Sequence, residues 1–358
     1  MKDKDVTDAT IFECMAGSHA YGTSTPTSDV DIRGVCIPAD KSYYIGFGMN
    51  VFEQKDKWSD TEDDKVIYDL RKFLKLAAES NPNILDLLFC DESDIRKTSD
   101  SWKKIQEQRQ KFLSRKARHS YTGYAFSQLR RIKNHRGYLL NPPKKRPERA
   151  DYGLPEQERT ATPEMIGAFQ WVLTEMLKNS LESSTVFSQE TLEELKQVNY
   201  IGLVQSQLKP EVYAEVQKLT GASDEWMHAM GQEKAYTNAM NEWTSYQNWA
   251  KSRNVKRAEI EAKYGYDTKH AMHLVRLIRM GKEILEQGLV LVKRPDAEEL
   301  VAIRNGAWTY DQVVTYAENM EQIMEASQKT SPLPREPDRV GIDKLCQEVI
   351  ENYVFKKE

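Results

Sequence analysis

Residues Ala16–Val35 read AGSHAYGTSTPTSDVDIRGV. The apolar run Ile11–Met15 ahead of it reads as a strand that leads into Gly17-Ser18. His19–Ser28 is loop-like or a short helix, with Gly22, Pro26 and several hydroxyl residues. Asp29–Ile37 is a second strand, stopped by Pro38. On a strand, residues i and i+2 share a face, so Asp29 and Asp31 aim both carboxylates at one point. Hard divalent cations need such oxygen clusters, and so does a triphosphate held through a cation. A glycine lets backbone approach a phosphate closely, and backbone N–H groups with a Ser hydroxyl can hold phosphate oxygens, which makes Gly17 and Ser18 candidates for a phosphate contact.

Two more strands are expected at Val51–Lys55 and Lys65–Asp69. From Leu70 the period becomes helical, with Leu70, Phe73, Leu74, Ala77 and Ala78 on one stripe. Asn81-Pro82 ends that helix, and Ile84–Cys90 begins another element. A third carboxylate is needed beside Asp29 and Asp31. Glu53 and Asp69 are the candidates, with Asp69 preferred because it closes an apolar strand just before a helix. The other role open to Asp69 is the N-cap of the Leu70 helix. Asp64 reads as a cap or a solvated charge.

The chain has 358 residues, and 30% of them are charged. With a mean hydropathy of −0.69, this describes a water-soluble protein. Its formal charge of −4 hides a basic block. Lys103–Arg149 holds fifteen Lys or Arg against only Glu107 and Glu148, a pattern that suits a local polyanion contact. Cys14, Cys36, Cys90 and Cys346 are scattered and form no CxxC pair, so they read as reduced thiols rather than a zinc site or disulfide framework. Met1–Thr10 is polar and acidic, unlike a secretion signal, and no apolar run is long enough to span a bilayer. A cytoplasmic location without membrane contact is expected.

After Asp91 the strand signal almost disappears. Helices are expected over Trp102–Leu140, Pro163–Glu182, Leu192–Tyr264, Thr268–Gln287, Ala297–Ile303, Tyr310–Ser327 and Ile342–Phe355. On the Thr268–Gln287 helix, Leu274, Leu277, Ile278, Gly281, Ile284 and Leu285 form an apolar stripe. Lys269, His273 and Arg276 fall in a narrow arc on another face, as donors able to grip a triphosphate. His270 projects toward the stripe, in a buried or bridging role. Arg130, Arg131, Lys133 and Arg136, interleaved with aromatic residues, could track a nucleic-acid backbone; Tyr124 and Leu129 read as core. Arg71 and Lys72 point about 100° apart, so one of them faces the cleft.

The stretch GSHAYGTSTPTSDVDIRG resembles the nucleotidyltransferase signature of the DNA polymerase β superfamily, a Gly-Ser followed by Asp-x-Asp. Tyr21-Gly22-Thr23, Ser28-Asp29 and Arg33-Gly34 are similar to one branch of it, the RNA-repair-pathway DNA polymerase β family of predicted nucleotidyltransferases. YDLRKFLKLAAESNPNILDLLF (Tyr68–Phe89), GYAFSQLRRIK (Gly123–Lys133), YDTKHAMHLVRLIRMGKEIL (Tyr266–Leu285) and RPDAEELVAIRNGAW (Arg294–Trp308) resemble further blocks in order. Residues 141–263 match nothing of the family.

The resemblance implies an α+β fold. A small polymerase β-type catalytic domain with a mixed sheet (residues 1–91) precedes a larger all-helical region that binds nucleotide and acceptor (92–358), with a helical insertion at about 141–263. It implies transfer of a nucleoside monophosphate from an NTP, with ATP the expected one, dependent on Mg²⁺ or Mn²⁺. Asp29, Asp31 and Asp69 are then the catalytic and metal residues. Gly17, Ser18, Tyr21, Thr23, Ser28, Lys72, Lys269, His273 and Arg276 form the nucleotide site. The expected acceptor is an RNA end or tRNA. A protein hydroxyl as acceptor, and a non-catalytic NTP- or RNA-binding module, are the alternatives.

Overall fold

Strand β1 (Thr10–Ala16) and strand β2 (Asp31–Cys36) run antiparallel, and Ala16 opposite Asp31 is their last rung. Beyond it the chain turns at Gly17, whose φ of +61° takes the backbone out of the extended region. Asp29 therefore has no partner strand, and β2 begins two residues later than the alternation of its sequence suggests. The computed structural model describes residues 6, 8–26, 28–45, 57–60, 64–156, 221–253 and 255–355, with scattered positions between 162 and 218. The strand expected at Val51–Lys55, with Glu53, lies outside the described residues, as does most of the helix expected at Pro163–Glu182.

Strands β3 (Lys57–Asp60), β4 (Lys65–Asp69) and β5 (Ile95–Lys97) complete a five-stranded sheet in the order β3-β4-β2-β1-β5. β4 lies parallel to β2, with Ile32 opposite Lys65 and Cys36 opposite Asp69; the other pairings are antiparallel. β5 carries only three residues, too few for a periodic signal, and owes its conformation to pairing with β1.

A short helix α1 (Gly17–Ala20) follows β1. Helix α2 (Leu70–Ala78) starts at Asp69, whose side chain accepts from the N–H groups of Arg71 and Lys72. Its stripe of Leu70, Phe73, Leu74, Ala77 and Ala78 is buried. Asn81 caps α3 (Pro82–Leu88), and Pro82 occupies the first turn, where a missing N–H leaves no bond unmade. Helices α4 (Asp100–Glu107) and α5 (Ala117–Leu140) follow. Trp102 of α4 is fully buried and stacks on Phe12 of β1 at 3.9 Å. One apolar core thus joins the sheet to the helices.

By contact the chain divides into two units: Met1–Leu140 with Asn254–Glu358, and Asn141–Arg253. In the second unit, α6 (Asp224–Ser252) begins at the Ser223 cap. The Arg149 guanidinium makes a forked pair with the buried Glu233 carboxylate, at 2.6 and 3.0 Å. In the first unit, α7 (Val255–Tyr264), α8 (Thr268–Gln287), α9 (Ala297–Arg304), α10 (Tyr310–Glu318), α11 (Met320–Lys329) and α12 (Arg339–Ile350) complete the helical part. Tyr310–Ser327, read as one helix from sequence, is two, divided at Asn319. α8 packs on α5 at Gly281, where a Cβ would stand 2.6 Å from Met324 Cε and 2.9 Å from Tyr121 Cβ, so only glycine permits this approach. No helix among the described residues is long and apolar enough to cross a membrane.

Candidate active site

The C-terminal end of β1 and the N-terminal ends of β2 and β4 meet at one edge of the sheet. Gly17 stands there with its Cα against the Asp31 carboxylate; a Cβ at residue 17 would collide with Asp31 Oδ2. Asp31 Oδ1 lies 3.1 Å from Arg33 Nη2. Partial burial raises the Asp31 pKa, Arg33 opposes that, and Asp64 adds to it. The Asp64 carbonyl accepts from Ile32 N (3.3 Å) and from Arg33 Nη1 (2.6 Å), and its Oδ1 lies 3.7 Å from Arg33 Nη2. Asp64 is thus a carboxylate gathered with Asp31, a role that sequence reading missed. Its signal is position: it immediately precedes β4, beside the start of β2.

Asp69 is not brought to this edge. Lys65, Ile67 and Asp69 pair with Ile32, Gly34 and Cys36, so by strand alternation they share a face opposite to that of Asp31 and Arg33. Asp69 also stands roughly 16 Å farther along the strand, at about 3.3 Å per residue. Its Oδ1 accepts from Arg71 N (2.9 Å) and Lys72 N (3.2 Å). The residue expected as third metal ligand is the helix cap. Lys72, in the same first turn, starts at this far end too. Asp29 is exposed in the loop that enters β2, so its proximity to Asp31 comes from two residues of chain and not from a shared strand face.

Ser18 holds the turn through its carbonyl, which accepts from Thr23 N at 2.9 Å; Thr23 itself is fully buried. Ser28 Oγ accepts from Thr25 N at 2.9 Å. Tyr21 is buried, and its hydroxyl donates to Asp86 Oδ2 at 2.6 Å. The Arg276 guanidinium lies 3.7 Å above the Tyr21 ring, with Nη1 3.5 Å from the same Asp86 oxygen. Arg276 is only 4% exposed, so this arginine is engaged with Asp86 inside the protein instead of open toward a ligand. Burial raises the Asp86 pKa against the pull of Arg276. A cavity of about 290 Å³ opens between these groups, lined by Gly17, Asp31, Arg33, Tyr68, Asn83 and Asp86 among others.

Lys269, half-buried in the first turn of α8, shares its electrostatic surroundings with Asp31: burial lowers the lysine pKa and Asp31 draws it back up. Burial, with Arg276 and Lys269 nearby, holds His273 well below the usual imidazole range, hence neutral. His270 is buried and bridges Gln128 Oε1 (2.8 Å) and Arg257 Nη1 (2.7 Å). On α5, Arg130, Arg131 and Lys133 are exposed, the last 3.7 Å from Glu318. Arg136 instead donates to Gly265 O (2.8 Å) and covers the Tyr310 ring at 4.3 Å. Leu129 is buried, whereas Tyr124, expected in the core, is 37% exposed with its hydroxyl accepting from Asn81 Nδ2.

Residues 2–140, which carry Gly17, Ser18, Asp29, Asp31 and Asp64, match the RNA repair pathway DNA polymerase beta family. A stretch of 126 residues is 35% identical to the uncharacterized 38.9 kDa protein in the nrdC-mobD intergenic region of Enterobacteria phage T4. It covers 33% of this chain and 37% of that protein, so the likeness spans little more than a third of the relative. No solved structure matches the chain. Lys269, His273 and Arg276 lie outside the matched region. The part of the chain that builds the Gly17–Asp31 edge, residues 2–140, is thus similar to the RNA repair pathway DNA polymerase beta family.

Proposed function

We propose that this protein moves a nucleoside monophosphate from an NTP, with ATP the expected donor, to an acceptor hydroxyl on RNA. The observation that carries the proposal is the Gly17–Asp31 contact, where a carboxylate lies against backbone that no side chain shields. Asp31, Asp64 and Asp29 offer hard oxygen donors at one sheet edge, a set that suits Mg²⁺ or Mn²⁺. Bound there, the metal would neutralise charge on the phosphates and on the attacking oxygen.

The protein's own groups do the rest. Gly17 and Ser18 present backbone to the phosphates. Lys269 offers a positive charge across from Asp31. Arg33 keeps the Asp31 carboxylate oriented from its own strand face. The acceptor oxygen forms a bond to the α-phosphorus as the bond to the bridging oxygen breaks. Pyrophosphate leaves with the electron pair, and the hydroxyl proton passes to a carboxylate of the cluster. Such transfer needs mainly positioning and charge compensation. The exposed Arg130, Arg131 and Lys133 favour an RNA acceptor by charge.

The test is incubation of the full chain with each of the four labelled NTPs against RNA ends, tRNA and protein. Label on RNA, abolished in Asp31→Asn, is the expected result. Label on protein alone would replace the acceptor, and a fully active Asp31→Asn would overturn the mechanism.

A further inference from the structure

Helices α5, α7 and α8 bring together a set of metal-ligating side chains that the transfer reading does not use. His135 of α5 meets Asp267 and His270 at the start of α8, and the three place ligand-type atoms within 4.8 Å of one another. His270 Nε2 lies 3.5 Å from Asp267 Oδ2. A tetrahedral zinc ion with bonds of about 2.0–2.1 Å holds neighbouring ligand atoms roughly 3.3–3.4 Å apart. These two atoms therefore already stand at the spacing that one shared ion requires.

Each histidine is oriented from behind. His270 Nδ1 lies 2.8 Å from Gln128 Oε1, which places the proton on Nδ1 and the lone pair on Nε2. His135 Nδ1 lies 3.2 Å from Oε1 of Glu261, a buried carboxylate of α7. Donation to that oxygen likewise leaves Nε2 of His135 as the acceptor nitrogen. An oxygen on one ring nitrogen and a lone pair on the other is how ligating histidines are held. Asp267 Oδ1 accepts from His270 N at 3.1 Å as the helix cap, so Oδ2 is the oxygen turned toward the histidine.

A cation already stands at this point. Arg257 Nη1 is 2.7 Å from His270 Nε2 and 3.2 Å from Asp267 Oδ2. The Arg257 side chain is 36% exposed, whereas that of Asp267 is fully buried. The guanidinium thus reaches in from the surface of α7 and can swing back to water while the other groups stay in place. Its departure leaves two buried carboxylates, Asp267 and Glu261, whose charge a divalent ion balances. Two neutral imidazoles and one carboxylate suit zinc, whereas Mg²⁺ favours oxygen donors alone.

We propose that His135, Asp267 and His270 bind Zn²⁺, with the Arg257 guanidinium as its competitor for the same place. The ion would join α5 to α8, and its fourth position would be open to water. The site is separate in donor chemistry from the carboxylate edge at Asp31 and does not rest on nucleotidyl transfer.

The test is calorimetry of the full chain with Zn²⁺ in excess Mg²⁺, which occupies carboxylate oxygens and competes poorly for imidazole. One equivalent of Zn²⁺ should bind, and Co²⁺ in its place should give the visible absorption of a four-coordinate ion. His135→Gln and His270→Gln should each weaken binding by about tenfold or more. Arg257→Met should tighten it by about tenfold, the reverse of what a purely structural arginine would show. Circular dichroism checks that each variant is folded, and His135→Gln carries the ligand test if His270→Gln is not. Absence of Zn²⁺ binding by the wild-type chain would overturn the site. So would unchanged affinity in folded His135→Gln, which places the ion elsewhere, or affinity that fails to rise in folded Arg257→Met.

Discussion

The Asp31 carboxylate occupies the space that a side chain on Gly17 would need. Gly17 has a second constraint, its φ of +61°, in the region where a Cβ is strained. Gly17→Ala should therefore destabilise the fold by about 1–3 kcal/mol and displace Asp31 together with it. Transfer should fall far more than stability. Thermal unfolding beside an NTP-transfer assay measures both, and a stable, fully active Gly17→Ala would show that the contact is dispensable.

The three aspartates at the ends of β2 and β4 should separate cleanly. Asp31→Asn and Asp64→Asn remove charge from the site edge, so transfer should be lost in the first and reduced in the second, with little change in Tm. Asp69→Ala removes a helix cap on the opposite face, with an expected loss of about 0.5–2 kcal/mol and near-normal turnover per folded molecule. Comparing kcat with unfolding midpoints across the three variants decides the assignment. An inactive but stable Asp69→Ala would return Asp69 to the catalytic set.

The difference between Asp69 and Asp64 shows what the sequence can carry. β4 (Lys65–Asp69) and α8 (Thr268–Gln287) are legible to the residue, because Asp69, Asp267 and Gly288 mark their ends locally. Which face of β4 meets Asp31 depends on register with β2, and no local pattern encodes that register. The same holds for Arg276. Helical spacing put it beside Lys269, but its partner Asp86 lies 190 residues away in sequence. The wheel gives the direction of a side chain and leaves open what stands there. β5 is invisible for the same reason, being a strand only through β1.

On α5 the basic residues should divide into two behaviours. Arg130→Gln with Arg131→Gln should weaken RNA binding and lower its salt dependence, leaving stability and NTP affinity unchanged. Arg136→Gln should instead lower stability by about 1–2 kcal/mol, because it loses the Gly265 carbonyl bond and its place over Tyr310. Filter binding at several salt concentrations and thermal unfolding read the two effects. RNA binding that is insensitive to the Arg130 and Arg131 pair would remove this face from the acceptor path.

The Tyr21–Asp86–Arg276 group gives a stability prediction independent of any ligand. The Tyr21 hydroxyl donates to Asp86 at 2.6 Å, and both side chains are buried. Tyr21→Phe leaves the aromatic packing under Arg276 but takes away a donor from a buried carboxylate, and should lower stability by about 1–3 kcal/mol. Asp86→Ala should be worse, because it leaves Arg276 buried without its charge partner. Urea unfolding of the two variants checks the order, and a reversed order would mean that Arg276 is held mainly by the Tyr21 ring.

His270 sets the acid limit. Burial, with Arg257 and His135 adding repulsion against the pull of Asp267, pushes its pKa down to about 4. In the unfolded chain the same group titrates near 6.5. The unfolded state therefore binds the proton first as pH falls. Stability is complete above about pH 6.5 and drains away between there and about pH 4, with a limiting slope of about 1.4 kcal/mol per pH unit for one proton. His270→Gln removes that titration, so its unfolding free energy should fall less steeply across the same window, even though it begins lower for want of the Arg257 contact. Urea midpoints from pH 4 to pH 7.5 measure the two slopes. Parallel curves would mean that His270 takes up its proton in the folded protein at the same pH as in the unfolded chain, so that burial and the Arg257 contact do not hold it neutral.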